Sequence, residues 1–181
     1  HWELSEESEN KGANLVLNSG FEDGITSWGT QGFSVTSDSS VYKTGSKSYR
    51  IYKTSWDWGA IYQTIPNASD YVGKTITYSV WIKGDSGNPD NSDYQTGYPH
   101  IHTNLDSDGF RWTATNGSNT SDGITKERFL SSDWHQYTGS YTVESGVTSM
   151  ELVVAPLWIG KNPTALNIDF PGFYIDEVSL K

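Results

Sequence analysis

The sequence contains no cysteine. That removes disulfide frameworks, thiolate metal sites and cysteine nucleophiles together, and it fits either a reducing compartment or a bacterial or phage exoprotein. Basic residues are scarce: 12 Lys and Arg stand against 22 Asp and Glu, a net charge of −10. Phosphate-neutralising surfaces need the opposite balance, so nucleic acid is disfavoured as a partner, and anionic membranes repel the chain. No apolar run approaches the roughly 18 residues of a membrane helix, and the first ten residues lack the basic-then-apolar order of a signal peptide. The chain therefore reads as a soluble piece of a longer, multimodular protein. Also missing are a Gly-x-Ser-x-Gly elbow, a phosphate loop and a His-Glu-x-x-His pair, which leaves nucleophilic, phosphoryl-transfer and zinc-protease chemistry without support.

What is present is aromatic and turn-rich. Eight Trp, eleven Tyr and six Phe make up 14% of the chain, beside 18 Gly and a single Met. Such a composition favours strands joined by turns over helices. At 181 residues the chain is one domain's worth. Residues 1–12 carry Glu3, Glu6, Glu7 and Glu9 and read as an acidic lead-in or linker, which leaves 13–181 as the folded module.

Period-two alternation predicts strands over residues 14–18, 32–36, 48–53, 60–65, 75–83, 98–105, 135–143, 149–155 and 173–180. Gly, Asn and Asp clusters separate them, and no strong helix intervenes. The spacing predicts an all-β sandwich of two antiparallel sheets. Residues 106–133 are long and polar, and read as an insertion or loop.

Alternation also predicts directions. Ile76, Tyr78, Val80 and Ile82 face the core, which leaves Trp81 as an indole on the polar side of its strand. Ile101, Thr103 and Leu105 point inward, whereas Tyr98, His100, His102 and Asn104 are displayed. Ile61 and Ile65 point inward, with Trp58 and Tyr62 opposite and Trp56 at the strand's entrance.

Both ends of the chain resemble a known group. The run from Asn14 to Gly24, with Gly20-Phe21-Glu22 inside it and Trp28 after it, is similar to the opening of carbohydrate-binding module families four, nine, sixteen and twenty-two. The closing Phe173-Tyr174-Ile175-Asp176-Glu177-Val178 resembles their final strand. Between these lie Thr44-Gly45-Ser46-Lys47-Ser48-Tyr49-Arg50-Ile51, the strand from Tyr78 to Lys83, and Trp134-His135-Gln136-Tyr137-Thr138. The resemblance implies a jelly-roll sandwich that binds a glycan without cleaving it, as an appendage of glycoside hydrolases or within phage tail proteins. That places it outside the cell or on a virion surface.

Sugar rings present C–H groups on their faces and hydroxyls at their rims, so a receptor needs flat aromatic platforms and edge-on polar groups. Trp56, Trp58 and Trp81 are the candidate platforms; Tyr62, Gln95, Tyr98, His100, His102 and Asn104 are the candidate rims. The resemblance favours Trp58, because in the family-twenty-two type a Trp before a Gly stacks on the sugar, and Trp58-Gly59 sits at the matching place. Trp28 and Trp134 belong to framework motifs and are assigned to the core, while Trp112 and Trp158 are weak candidates.

The resemblance further implies one structural Ca2+ held by Glu22 and Asp176, with backbone carbonyls near the Gly45-Ser46-Lys47 turn. Calcium takes six to eight hard oxygen ligands and would pin the first and last strands together. His100 and His102 share a strand face and invite a metal, but no carboxylate is aligned with them, so sugar contact is the preferred reading. A hydrolase needs paired carboxylates about 5–10 Å apart on a cleft; Asp57, Asp93 and Asp106 fall in turns and nothing pairs them. A jelly-roll lyase would need an Arg near His102, and none of the three Arg lies in that strand. The expectation is thus a non-enzyme that binds a neutral polysaccharide or oligosaccharide of the β-glucan, mannan or xylan type. The alternative is an adhesion or structural module of a phage tail or cell-surface protein that binds host-wall saccharide.

Overall fold

The computed structural model describes residues 12–54, 58–84, 94–96, 99–106, 132–154, 157–159 and 173–181, with residues 33, 52–54, 58, 59, 94–96 and 157–159 as backbone alone. Eleven strands are formed among them: β1 (Gly29–Gln31), β2 (Phe33–Asp38), β3 (Ser48–Thr54), β4 (Trp58–Ile65), β5 (Thr75–Gly84), β6 (Tyr94–Thr96), β7 (His100–Thr103), β8 (His135–Thr142), β9 (Met150–Val153), β10 (Leu157–Ile159) and β11 (Phe173–Leu180). One 3-10 turn, Ala68–Tyr71, joins β4 to β5.

The strands make the expected β-sandwich of two antiparallel sheets. One sheet has the order β2-β3-β11-β5-β8. The other is centred on β4. Tyr62 is flanked by Gly29 of β1 on one edge and by Val153 of β9 on the other. β9 and β10 follow one another along that second edge, with the Val154 N–H bonded to Ile61 O at 2.9 Å between them. β7 and β6 lie outside β9 and β10.

The inward faces follow the predicted alternation. Ile76, Tyr78, Val80 and Ile82 of β5 and Ile61 and Ile65 of β4 are buried in one core with Leu152, Ile101, Ile51 and Ile175. Burying one face of each sheet removes a large apolar area from water, at about 25 cal/mol per Å², and this dominates the stability of such a fold. Tyr49 and Tyr78 have hydroxyl pKa values pushed up to about 12 by burial, so both stay neutral. Trp28 is in the core as expected, 5.1 Å from Phe21 between ring centres, with its Nε1–H donating to Asn18 O. Trp134 is only half-buried, because it precedes β8 at the sandwich margin.

Several expectations need correction. Residues 14–18 form no strand. Leu15 N donates to Leu180 O, but the remaining bonds are made by amide side chains: Asn14 Nδ2 to Val178 O, Leu180 N to Asn14 Oδ1, Leu17 N to Gln63 Oε1 and Gln63 Nε2 to Leu17 O. Side-chain amides here take the place of a backbone ladder. Leu105 is 43% exposed rather than inward, since β7 stops at Thr103 and alternation stops with it. Three short strands were not anticipated: β1 (Gly-Thr-Gln) has no apolar alternation, β6 lies in a polar Asn- and Asp-rich run, and β10 is only three residues long. β1 and β2 are separated by Gly32 alone, at φ 72°, and there the chain passes from one sheet to the other.

Gln63 is 4% exposed and both its amide groups are spent on Leu17. Replacing it with the isosteric Met leaves the Leu17 N–H and C=O without that partner. Gln63→Met is expected to lower unfolding stability by about 1–3 kcal/mol in urea titration.

Candidate functional site

Strand register decides which candidates share a face. On β4, Ile61, Gln63 and Ile65 point into the core, so positions 58, 60, 62 and 64 lie on the opposite side. Three cross-strand rows result. Trp58 pairs with Trp158, and Trp158 with Gln95. Tyr62 pairs with Val153, and Val153 with His100. Thr64 pairs with Glu151, and Glu151 with His102. The fold thus gathers five candidates, Trp58, Tyr62, Gln95, His100 and His102, onto one sheet face with the weakly rated Trp158. Residues 56 and 98, the candidates Trp56 and Tyr98, lie outside the described residues, as does Trp112.

The face is not open throughout. Val153 is 0% exposed, His100 3% and Ala60 1%. The expectation that His100 is displayed is therefore corrected: alternation fixes the direction of a side chain, and cover from elsewhere decides its exposure. His102 is half-buried, and its Nδ1 lies 3.4 Å from Asp106 Oδ2, which also accepts the Thr103 N–H at 2.8 Å. Asn104 is exposed just beyond β7. Its Oδ1 accepts the Thr148 and Ser149 N–H groups and its Nδ2 donates to Gly146 O, which closes the turn before β9.

Among the described side chains of this face, accessible polar and aromatic surface is concentrated at Tyr62, Thr64, Glu151 and His102. Tyr62 is half-buried, and Thr64 Oγ1 donates to Glu151 Oε1 at 3.3 Å. Beside Tyr62, at the β1 edge, lies a depression of about 520 Å³ lined by Leu17, Ser27, Trp28, Gly29, Tyr62, Gln63 and Thr64. Sequence reasoning missed Glu151 and this depression. The alternation of Glu151 and Val153 against Met150 and Leu152 was available as a signal for Glu151; the depression depends on β1, which left no pattern to read.

Trp81 belongs elsewhere. It is on β5, in the other sheet, so it cannot share a groove with Trp58. It is paired with Asp176 of β11, and the Lys43 ammonium sits 4.4 Å above its ring.

That pairing leads to the second cluster. β11 is bulged between Asp176 and Ser179, with Glu177 at φ 51°, and the bulge turns Asp176 to the turn at 43–47. Asp176 is 0% exposed; its Oδ2 accepts the Lys43 and Thr44 N–H groups at 2.7 and 3.2 Å, and its Oδ1 accepts the Glu177 N–H at 2.7 Å. Thr44 Oγ1 also bonds to Glu177 Oε1. Glu22 takes the far end of the same turn: its Oε1 accepts the Ser46 and Lys47 N–H groups at 2.8 and 3.1 Å, and its Oε2 accepts the Ser46 hydroxyl at 2.6 Å. The two residues expected to hold calcium do converge on one five-residue turn.

Their ionisation differs. Burial raises the Asp176 pKa, the Lys43, Thr44 and Glu177 N–H groups pull it back, and the Glu177 charge pushes it up again. Above its unfolded pKa, keeping Asp176 ionised therefore costs stability, and the cost is relieved as pH falls through the raised folded value. The Glu22 pKa is lowered, first by the Ser46 hydroxyl and then by the Ser46 N–H. Its contribution is present above the unfolded pKa and is lost as pH falls.

Among the described residues no three His, Asp or Glu side chains come together. A cation here would need backbone carbonyls as well as the two carboxylates. No Lys or Arg side chain pairs with Asp176 among the described residues, whereas the Lys47 ammonium lies beside Glu22 and donates to its carbonyl oxygen.

The family model described as a carbohydrate binding domain, of the type that joins families 4 and 9, matches residues 13–158. The chain belongs to that family and is a carbohydrate-binding module. It is similar to endo-1,4-beta-xylanase A of Thermotoga maritima, 24% identical over 170 residues that make up 93% of this chain and 14% of the xylanase. The chain thus spans about one seventh of that relative. Among solved structures it is similar to a xylan-binding domain, the second family-22 module of Xyn10C from Paenibacillus barcinonensis, with TM-score 0.59, 19% identity, and 90% and 96% of the two chains covered. It is also similar to part of tailspike protein 4 of bacteriophage CBA120, with TM-score 0.58, 16% identity, and 92% of this chain but 21% of the tailspike covered.

Gly45 has φ 67°, and a β-carbon there would collide with Glu22 Oε1. Gly45→Ala is expected to push the Glu22 carboxylate off the turn and lower unfolding stability by about 1–3 kcal/mol, read by thermal melting.

Proposed function

We propose that the module binds a neutral, β-linked polysaccharide of the xylan type on the β4-centred sheet and carries out no bond-making or bond-breaking step. One observation supports this most: by backbone register, positions 58, 158 and 62, all aromatic in the sequence, fall on a single face of the β4 sheet. Aromatic platforms spaced along a sheet present flat apolar area to successive sugar rings, while Thr64 and Glu151 supply hydroxyl contacts at the edge. The two described carboxylates on this face are engaged, Glu151 by Thr64 and Asp106 by Thr103 and His102, which supports binding without catalysis. Similarity to xylanase modules supports xylan as the polymer and an extracellular, multimodular setting.

We also propose that Glu22 and Asp176, with carbonyls of the 43–47 turn, hold one structural Ca2+. A divalent charge beside the buried Asp176 carboxylate would offset its desolvation and tie the Glu22 segment, the turn and β11 together.

Isothermal titration with xylohexaose, β-glucan and mannan oligosaccharides tests the binding. Affinity of order micromolar to millimolar is expected for at least one of them. Tyr62→Ala and Trp58→Ala each weaken it by about tenfold or more, whereas Trp81→Ala, on the opposite sheet, leaves it unchanged. No heat with any neutral glycan, or loss on Trp81→Ala alone, contradicts the proposal.

For the metal, thermal melting in millimolar Ca2+ and in chelator gives a higher Tm with calcium. At 100-fold excess over Kd the gain is about 2.7 kcal/mol. Asp176→Asn abolishes the calcium response; an identical response in that variant rules the site out.

A further inference from the structure

The centre of the β4-sheet face is covered at Ala60, Val153 and His100, while its β1 edge is hollow. The hollow exists because of one residue. Gly29 of β1 stands directly opposite Tyr62 in the ladder. A β-carbon at residue 29 would lie 2.5 Å from Tyr62 Cζ, 2.7 Å from Cε2 and 2.9 Å from Oη. The tyrosine ring therefore lies across the edge strand, over the place where any other residue would carry its side chain. With a side chain at 29 the ring must rotate off β1, and the ledge is lost.

The lining of the hollow suits one kind of ligand. Tyr62 and the edge of Trp28 give aromatic surface, exposed Leu17 adds apolar surface, and Ser27 and Thr64 give hydroxyls. Among the described residues, no Lys, Arg, Asp or Glu lines it. The Glu151 carboxylate, bonded to Thr64, stands just outside. A ring with an apolar face and uncharged hydroxyls matches such walls, and a carboxylate-bearing sugar would be repelled by Glu151.

Resting on the glycan-binding reading above, we infer that this hollow is a subsite for one uncharged sugar unit at the β1 end of the binding face, and that Gly29 is the positioning residue that holds Tyr62 flat to form it. A sugar bound there packs its ring against Tyr62 and places hydroxyls at Ser27 and Thr64. A chain carrying glucuronyl groups binds less well at this end than an unsubstituted one.

Two measurements test the inference. The first is backbone amide shift mapping of the wild-type chain with xylohexaose. Shifts at Ser27, Trp28, Gly29 and Thr64 are expected alongside shifts at Glu151 and His102. Shifts at Glu151 and His102 with none at residues 27–29 overturn the subsite but leave glycan binding on the sheet intact; no shifts at either place, with any neutral glycan, overturn both.

The second is a double-mutant cycle by isothermal titration. Gly29→Ala and Tyr62→Ala each weaken xylohexaose binding by about tenfold, and the double variant is no weaker than Tyr62→Ala, because without the ring Gly29 has nothing to position. Additive losses, or Gly29→Ala binding like wild type while Tyr62→Ala fails, overturn the positioning role. The wild-type arm decides the subsite even if Gly29→Ala does not fold. A glucuronyl-substituted xylo-oligosaccharide that binds as tightly as the unsubstituted one and shifts residues 27–29 equally contradicts the neutral-sugar assignment.

Discussion

Each of the two sheets must hide one face, and every other feature of the molecule is arranged around that requirement. Ile61, Ile65 and Leu152 from one sheet meet Val80, Ile82 and Ile175 from the other in a single buried core. Because a strand alternates strictly, burial of these residues leaves positions 58, 62 and 64 no choice of side. The outward face of the β4 sheet is therefore set by packing: Ile61, Gln63 and Ile65 turn inward, and Tyr62 and Thr64 are left on the other side.

The sandwich was legible in the sequence because period-two alternation is a local signal. β5 and β11 match the expected spans to within one residue, and the inward set on β5 is as read. What alternation cannot give is the third dimension. Alternation with Ile101 displays His100, yet it is sealed. Alternation turns both Trp58 and Trp81 outward and so suggests partners, yet they belong to different sheets. Which strands share a sheet is a matter of long-range pairing, on which a single strand's sequence is silent. The Glu22 and Asp176 pair was visible only through family resemblance; no local rule joins two residues 154 positions apart.

Charge is handled differently in the two clusters. At the 43–47 turn, two carboxylates are met by backbone and hydroxyl donors, and one of them is buried where ionisation is unfavourable. On the sheet face, polar groups are tied to one another through Thr64 and Glu151 and through His102 and Asp106, and the described walls of the hollow beside them carry no charge. The first arrangement sets carboxylates against backbone donors; the second sets side chains against one another.

The segment at Asn14 and Leu15 lies bonded alongside Val178 and Leu180. In any polypeptide with chain on both sides of this fold, the two arms would leave from neighbouring points rather than from opposite poles. A tug along such a polypeptide would be borne by a handful of amide contacts at the seam, while the sandwich hung to one side unstretched. A glycan held on the β4 sheet would then stay gripped as its tether swung, much as a cargo hook keeps its shape when the rope moves.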